Sequence, residues 1–91
     1  MSDIFFKGVH SGDFSLIDQG IRSNIDPGCI RVGIHLAAFY LKKWETVKYL
    51  IDHPVTREQA GELFIYEYYP VDIQNVMYTY PKVHFVRNYF K

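Results

Sequence analysis

Apolar residues recur at intervals of three and four along most of the first 53 residues, the spacing that lines one side of a helix. Ile4, Phe5, Gly8 and Val9 form one such face within residues 3–11, and Phe14, Leu16, Ile17 and Ile21 form the next. Ser11-Gly12-Asp13 lies between them, a turn whose aspartate suits a helix cap. Asn24-Ile25-Asp26-Pro27-Gly28 then interrupts the pattern with strong turn chemistry. The periodicity resumes over residues 34–41, where Ala37 and Ala38 allow close backbone approach. It continues over residues 44–52, with Trp44, Val47, Leu50 and Ile51 on one stripe. His53-Pro54 ends that helix.

The remaining third reads differently. Thr56-Arg57-Glu58-Gln59 has the form of a capping box and predicts a helix running to about Tyr68, with Ala60, Gly61 and Phe64 on its packed face. Leu63-Phe64-Ile65-Tyr66 alternates with a period of two and admits a strand instead. Pro70 and Pro81 each suit the first turn of a short helix. Val71, Ile73, Val76 and Met77 would line the first of these, and Val83, Val86 and Phe90 the second.

Two strings carry a family resemblance. Gly33-Ile34-His35-Leu36-Ala37-Ala38, followed by Trp44-Glu45-Thr46-Val47-Lys48-Tyr49-Leu50-Ile51, resembles the core of an ankyrin repeat. Gly12-Asp13-Phe14-Ser15-Leu16-Ile17 with Gly20-Ile21 and Asn24-Ile25-Asp26 resembles the second helix and loop of another copy, shifted by roughly 30 residues against a family period of about 33. In the first copy Phe5 stands for the motif leucine, and Gly8 and Val9 for the paired alanines. The resemblance covers about residues 3–55. The connector Leu41-Lys42-Lys43 departs from it, lacking a glycine and adding one residue.

The resemblance implies an all-α fold: a short ankyrin-like solenoid of stacked helix pairs in one domain. Unit one would span 3–27, unit two 28–55, and an aromatic helical cap 56–91. It also implies that His35 braces the repeat loop, and that another protein is contacted through loop tips and the exposed side of the first helices. By position those residues are Cys29 and Arg31, the adjacent aromatics Phe39 and Tyr40, and His10 and Ser11 in the first unit.

Composition narrows the function. The 91 residues carry 48% apolar side chains, ordinary for a globular chain, but 18% aromatic ones. Nine of the sixteen aromatics fall after residue 63, where they would seal an uncovered end of the stack or offer rigid contact area to a partner. Net charge is zero, which removes any global attraction to nucleic acid or anionic lipid. The charges alternate in blocks: residues 1–30 are acidic, 31–53 basic, 54–81 acidic, and the last ten hold Lys82, Arg87 and Lys91 with no acid. The single cysteine, Cys29, allows no internal disulfide and makes a reducing compartment the default. With no signal-peptide core and no apolar run of about 20 residues, a cytoplasmic protein with no membrane partner is expected.

Chemistry is sparse. There is no cysteine pair, no His-x-x-x-His, no phosphate-cradling glycine loop and no nucleophile motif, so neither a metal, a cofactor nor enzyme activity is expected. The expected function is a small protein-binding module that occludes or bridges its target. An inhibitor of a host enzyme or defence complex, of phage or bacterial origin, fits that size. The alternative is nucleic-acid binding by a basic edge of Lys82, Arg87 and Lys91 beside Tyr78, Tyr80 and Tyr89.

Overall fold

In the computed structural model, which describes residues 3–87, the chain opens with two helical hairpins. Helix α1 (Asp3–Ser11) buries Phe5, Gly8 and Val9, and α2 (Phe14–Arg22) buries Ile17, Gly20 and Ile21. Gly12 makes the turn at φ +72°, and the Asp13 carboxylate accepts from the Ser15 and Leu16 amides at 3.0 and 3.2 Å. That satisfies two of the donors that a helix start leaves unpaired. The two helices meet backbone to backbone. A Cβ on Gly20 would lie 2.6–2.8 Å from the Cβ, Cα and N of Phe5, and one on Gly8 would lie 2.7 Å from the Ile17 amide nitrogen.

Asp26 caps α3 (Pro27–His35) through the Gly28 amide, with Pro27 in the first turn, where its missing N–H costs nothing. The helix does not stop at His35. It widens into a π-helical stretch, Leu36–Leu41, that buries Ala37 and Ala38. A π turn takes up one residue more than an α turn, which is how the added residue near Leu41 is absorbed without a longer loop. Lys42 then occupies the left-handed region at φ 54°, the place of the missing glycine, and the Lys43 amide closes onto the Ala37 carbonyl at 2.9 Å. Helix α4 (Trp44–Asp52) packs back on α3 with Thr46, Val47, Leu50 and Ile51 buried.

The last third keeps the fold mostly helical but replaces part of the expected helical cap with a small two-stranded sheet. Helix α5 is short (Pro54–Gln59), and its N-cap is His53, whose Nδ1 accepts from the Val55 amide at 3.2 Å. Thr56 sits inside this helix, fully buried, and is not its cap. The predicted helix to Tyr68 is cut by Gly61 at φ +78°, and the alternating run behind it becomes strand β1 (Glu62–Tyr66), with Leu63 and Ile65 buried. Helix α6 (Val71–Met77) starts after Pro70 as the proline signal implied and buries Ile73 and Met77. Where a final helix was expected, Lys82–Val86 form strand β2, which pairs parallel to β1 with Leu63 opposite Val83 and Ile65 opposite Phe85. A parallel pair needs a crossover of about a dozen residues, and α6 with its flanking turns supplies it.

The fold is therefore mostly helical with one small sheet. A single apolar cluster runs from Phe5 through Ile30, Leu50 and Ile65 to Tyr80. No helix among the described residues is long and apolar enough to cross a membrane.

Candidate protein-binding surface

Arg31, His35 and Phe39 recur every four residues along α3 and its π-helical extension, which places them on one side of that rod. Arg31 lies over the turn before β1, donating from one guanidinium nitrogen to the Ala60 carbonyl at 2.9 Å. The His35 ring stacks on Phe39, with centroids 5.2 Å apart and planes 12° from parallel, and stands 5.8 Å from the Tyr66 ring. Tyr40 meets Phe39 edge-on at 4.9 Å and is 68% exposed. Behind Phe39 the aromatic run continues through Tyr68 to Tyr69 and Trp44, and the Lys42 ammonium lies 5.3 Å from the Tyr68 ring.

A cavity of about 80 Å³ opens between α3 and β1 beside this stripe. Ile34, Leu63 and Met77 make its apolar wall, and Arg31, His35, Phe64, Tyr66 and Tyr69 complete it. Phe64 is 46% exposed and stacks on His84 of β2 at 4.7 Å. Glu62, the nearby carboxylate, is engaged by His84 at 2.9 Å and faces Lys82 at 3.9 Å, and the hydrogen bond from His84 holds its carboxyl below the usual glutamate range. The Arg31 charge also acts on this acid and helps to hold its carboxyl down.

Of the six residues expected at a protein interface, Arg31, Phe39 and Tyr40 come together here. Cys29 precedes Arg31 by two residues in α3, about 200° round the helix from it. His10 and Ser11 end α1, where the His10 carbonyl accepts from the Lys43 ammonium and the Ser11 hydroxyl donates to the Lys7 carbonyl at 2.9 Å. The Lys43 contact ties α1 to the start of α4, and the Ser11 bond stays within α1. Among the described residues His35 makes no hydrogen bond that would brace a loop, as its motif position implied; its ring contacts there are aromatic.

The basic edge is assembled differently from the expectation. Lys82 and His84 share Glu62, the Arg87 guanidinium lies 5.6 Å over the Phe85 ring, and Lys91 and Tyr89 fall outside the described residues. Tyr80 is not available for stacking. It is 5% exposed, and its hydroxyl donates to the Ile51 carbonyl at 2.7 Å.

One arrangement had no signal in the sequence. An open cleft of about 460 Å³ between α2, α4 and α5 is lined by Asp18, Arg22, Tyr49, Asp52, His53 and the start of α5. Asp18 Oδ1 accepts from the Tyr49 hydroxyl at 2.5 Å and lies 3.1 Å from His53 Nε2. Because Nδ1 of His53 accepts the Val55 amide, its proton sits on Nε2 and is donated to Asp18. The hydrogen bond to Asp18, with burial behind it, pushes the Tyr49 hydroxyl up to about 12. Both imidazole nitrogens are occupied and the phenol stays protonated, so the trio acts as a clasp between α2 and α4. Asp18, Tyr49 and His53 are more than 30 positions apart at the ends of the contact, and no local pattern links them. The cavity's His35 was findable, since it lies midway between Arg31 and Phe39 at helical spacing.

Compared with known proteins, the chain matches no family model. No curated protein is significantly similar to it, and no solved structure is either.

Proposed function

We propose that this protein is a protein-binding module, and that the stripe from Arg31 through His35 and Phe39 to Tyr40 is its recognition surface. The observation that carries this reading is Tyr40, a large aromatic left 68% exposed at the head of a run of packed rings, its ring 6.3 Å from that of His35, which lines a small cavity. Rigid aromatics with a polar tip supply contact area at low entropic cost, and a neighbouring pocket gives a partner's side chain a place to anchor. The ankyrin-like strings of the sequence put this stripe on the first helix of the second unit, where recognition falls in that family. The module would act by occluding or bridging its target.

Immobilised protein offered to a lysate of its native host, with bound proteins quantified by mass spectrometry, tests this. Tyr40→Ala should lose at least tenfold of a captured partner, whereas Tyr78→Ala, which removes a 49% exposed aromatic elsewhere, should not. Equal capture by all three proteins, or no protein enriched over blank resin, would sink the reading.

A further inference from the structure

The two strands of the sheet have unlike outer edges. On β1 the outer edge is occupied: the Glu62 amide donates to the Ala60 carbonyl at 2.8 Å, the Tyr66 carbonyl accepts from the Tyr69 amide at 2.9 Å, and α3 walls that side. On β2 it is open. The Glu67 amide donates to the Val86 carbonyl at 3.0 Å, so in this parallel pair Lys82, His84 and Val86 turn their backbone groups toward β1. The N–H and C=O of Val83 and Phe85 therefore point outward, and none of these four groups has a hydrogen-bond partner among the described residues. Packing does not hide them either. No residue of β2 is buried, Phe85 is 40% exposed, and β1 is the only element that β2 packs against extensively.

An open edge is a template for another strand, and this one is complementary to itself. When a second copy is turned about a two-fold axis through His84, the two β2 strands run antiparallel over their whole length, Lys82–Val86. Val83 then lies opposite Phe85 of the second copy, and Phe85 opposite Val83 of the second copy. Both are hydrogen-bonded positions, so all four outward groups on each chain find partners. A β-branched residue against an aromatic is also a favourable cross-strand pair. The two His84 rings meet at the axis, each already held by its own Glu62 at 2.9 Å and stacked on its own Phe64 at 4.7 Å. Lys82 falls opposite Val86, which keeps the two lysines at opposite ends of the pair. The net charge of zero leaves no overall repulsion between copies.

We propose that a second copy of this chain pairs with β2, giving a closed dimer built on a four-stranded sheet in the order β1-β2-β2-β1. Because the outer edge of β1 is occupied, assembly stops at two. The stripe of Arg31, His35 and Phe39 lies on the β1 side and takes no part in the pairing. The dimer therefore does not depend on the protein-binding reading.

Sedimentation equilibrium and amide hydrogen exchange on the wild-type chain, from micromolar to millimolar concentration, test the pairing without any variant. The mass should rise from monomer to dimer and no further. The Val83 and Phe85 amides should exchange quickly when dilute and gain at least tenfold protection when concentrated. The His84 and Val86 amides, which face β1, should change little. Phe85→Pro deletes an outward N–H and leaves the ladder to β1 intact, so it should stay folded by circular dichroism and monomeric at every concentration. For the register, a Cys29→Ser/His84→Cys chain should oxidise to a covalent dimer, because residues at such a position lie about 4.5 Å apart between Cα atoms, within disulfide reach. A Cys29→Ser/Lys82→Cys chain should not. A monomer at every concentration, assemblies larger than two, a dimer that forms without protecting Val83 and Phe85, a folded Phe85→Pro that still dimerises, or equal cross-linking at positions 82 and 84 would each overturn the proposal.

Discussion

At the scale of single residues, the α1–α2 hairpin depends on the absence of two methyl groups. Gly20 faces the backbone of Phe5 and not the end of a flexible side chain, so the neighbour cannot yield by changing rotamer. Gly20→Ala gains helix propensity of about 1 kcal/mol. Its added Cβ would lie only 2.6–2.8 Å from Phe5 atoms, so the two helices must separate, and overpacking of this kind costs about 1–3 kcal/mol. Net destabilisation on chemical denaturation is expected, and an increase in stability would show that the hairpin is looser than described. Thr56 offers the opposite case. Its hydroxyl is fully buried and has no hydrogen-bond partner among the described residues. Thr56→Val keeps the shape and removes the unsatisfied group, so it should raise stability by about 1 kcal/mol. An unchanged or lower denaturation midpoint would mean that the hydroxyl finds a partner, such as a buried water.

At the scale of elements, two tyrosine hydroxyls hold the C-terminal half of α4 in place. Tyr49 ties it to α2 through Asp18, and Tyr80 caps the Ile51 carbonyl in its last turn. That carbonyl lacks its usual helical donor because the Val55 amide is committed to His53. Tyr49 is raised to about 12 chiefly by the hydrogen bond to Asp18, and Tyr80 to about 12 by burial. Both folded-state values lie above the ordinary 10.0. The protonated phenols therefore contribute stability that is complete below pH 10 and is lost as pH rises from about 10 to 12. Wild-type protein should lose more of its melting temperature between pH 9 and pH 11 than the Tyr49→Phe/Tyr80→Phe double variant. Equal losses would show that neither hydroxyl resists ionisation. The same scale explains the misread third of the chain. Thr56-Arg57-Glu58-Gln59 has the letters of a capping box, but the helix had already begun at Pro54 under His53. Gly61 then stopped it, leaving an alternating run that a strand accommodates better than a helix.

For the whole molecule, the carboxy-terminal third completes the core. Leu63, Ile65, Ile73, Met77 and Tyr80 are buried in the same cluster as Val47, Leu50 and Ile51. A chain ending at Pro54 would leave those α4 residues facing water, and at about 25 cal/mol per Å² of apolar surface the loss is large against a total stability of about 5–15 kcal/mol. The 1–54 fragment should be unfolded or aggregated by circular dichroism and size-exclusion chromatography. A soluble fragment with a cooperative melt would show that the hairpins stand alone. The radius of gyration, 12.3 Å, is close to the value of about 12 Å for one folded domain of this length, in keeping with one shared core.

Except that residues 28–33, expected as a loop tip carrying Cys29 and Arg31, already belong to α3, local pattern placed the two hairpins. Their signals are contained in short windows: apolar residues every three or four positions, Asp13 and Asp26 before helix starts, and small residues where backbones meet. The same spacing set Arg31, His35 and Phe39 on one side of α3, and two of these three were read as recognition residues. The tertiary structure alone decided what depends on residues far apart in the chain. Whether residues 63–66 and 83–86 are helix or strand turns on their finding each other across α6, because a strand satisfies its backbone only through a neighbour. The cavity exists because β1 then lies against α3. Tyr80 is a buried cap and Tyr40 an exposed ring for the same reason: composition counts them alike, and only packing separates them.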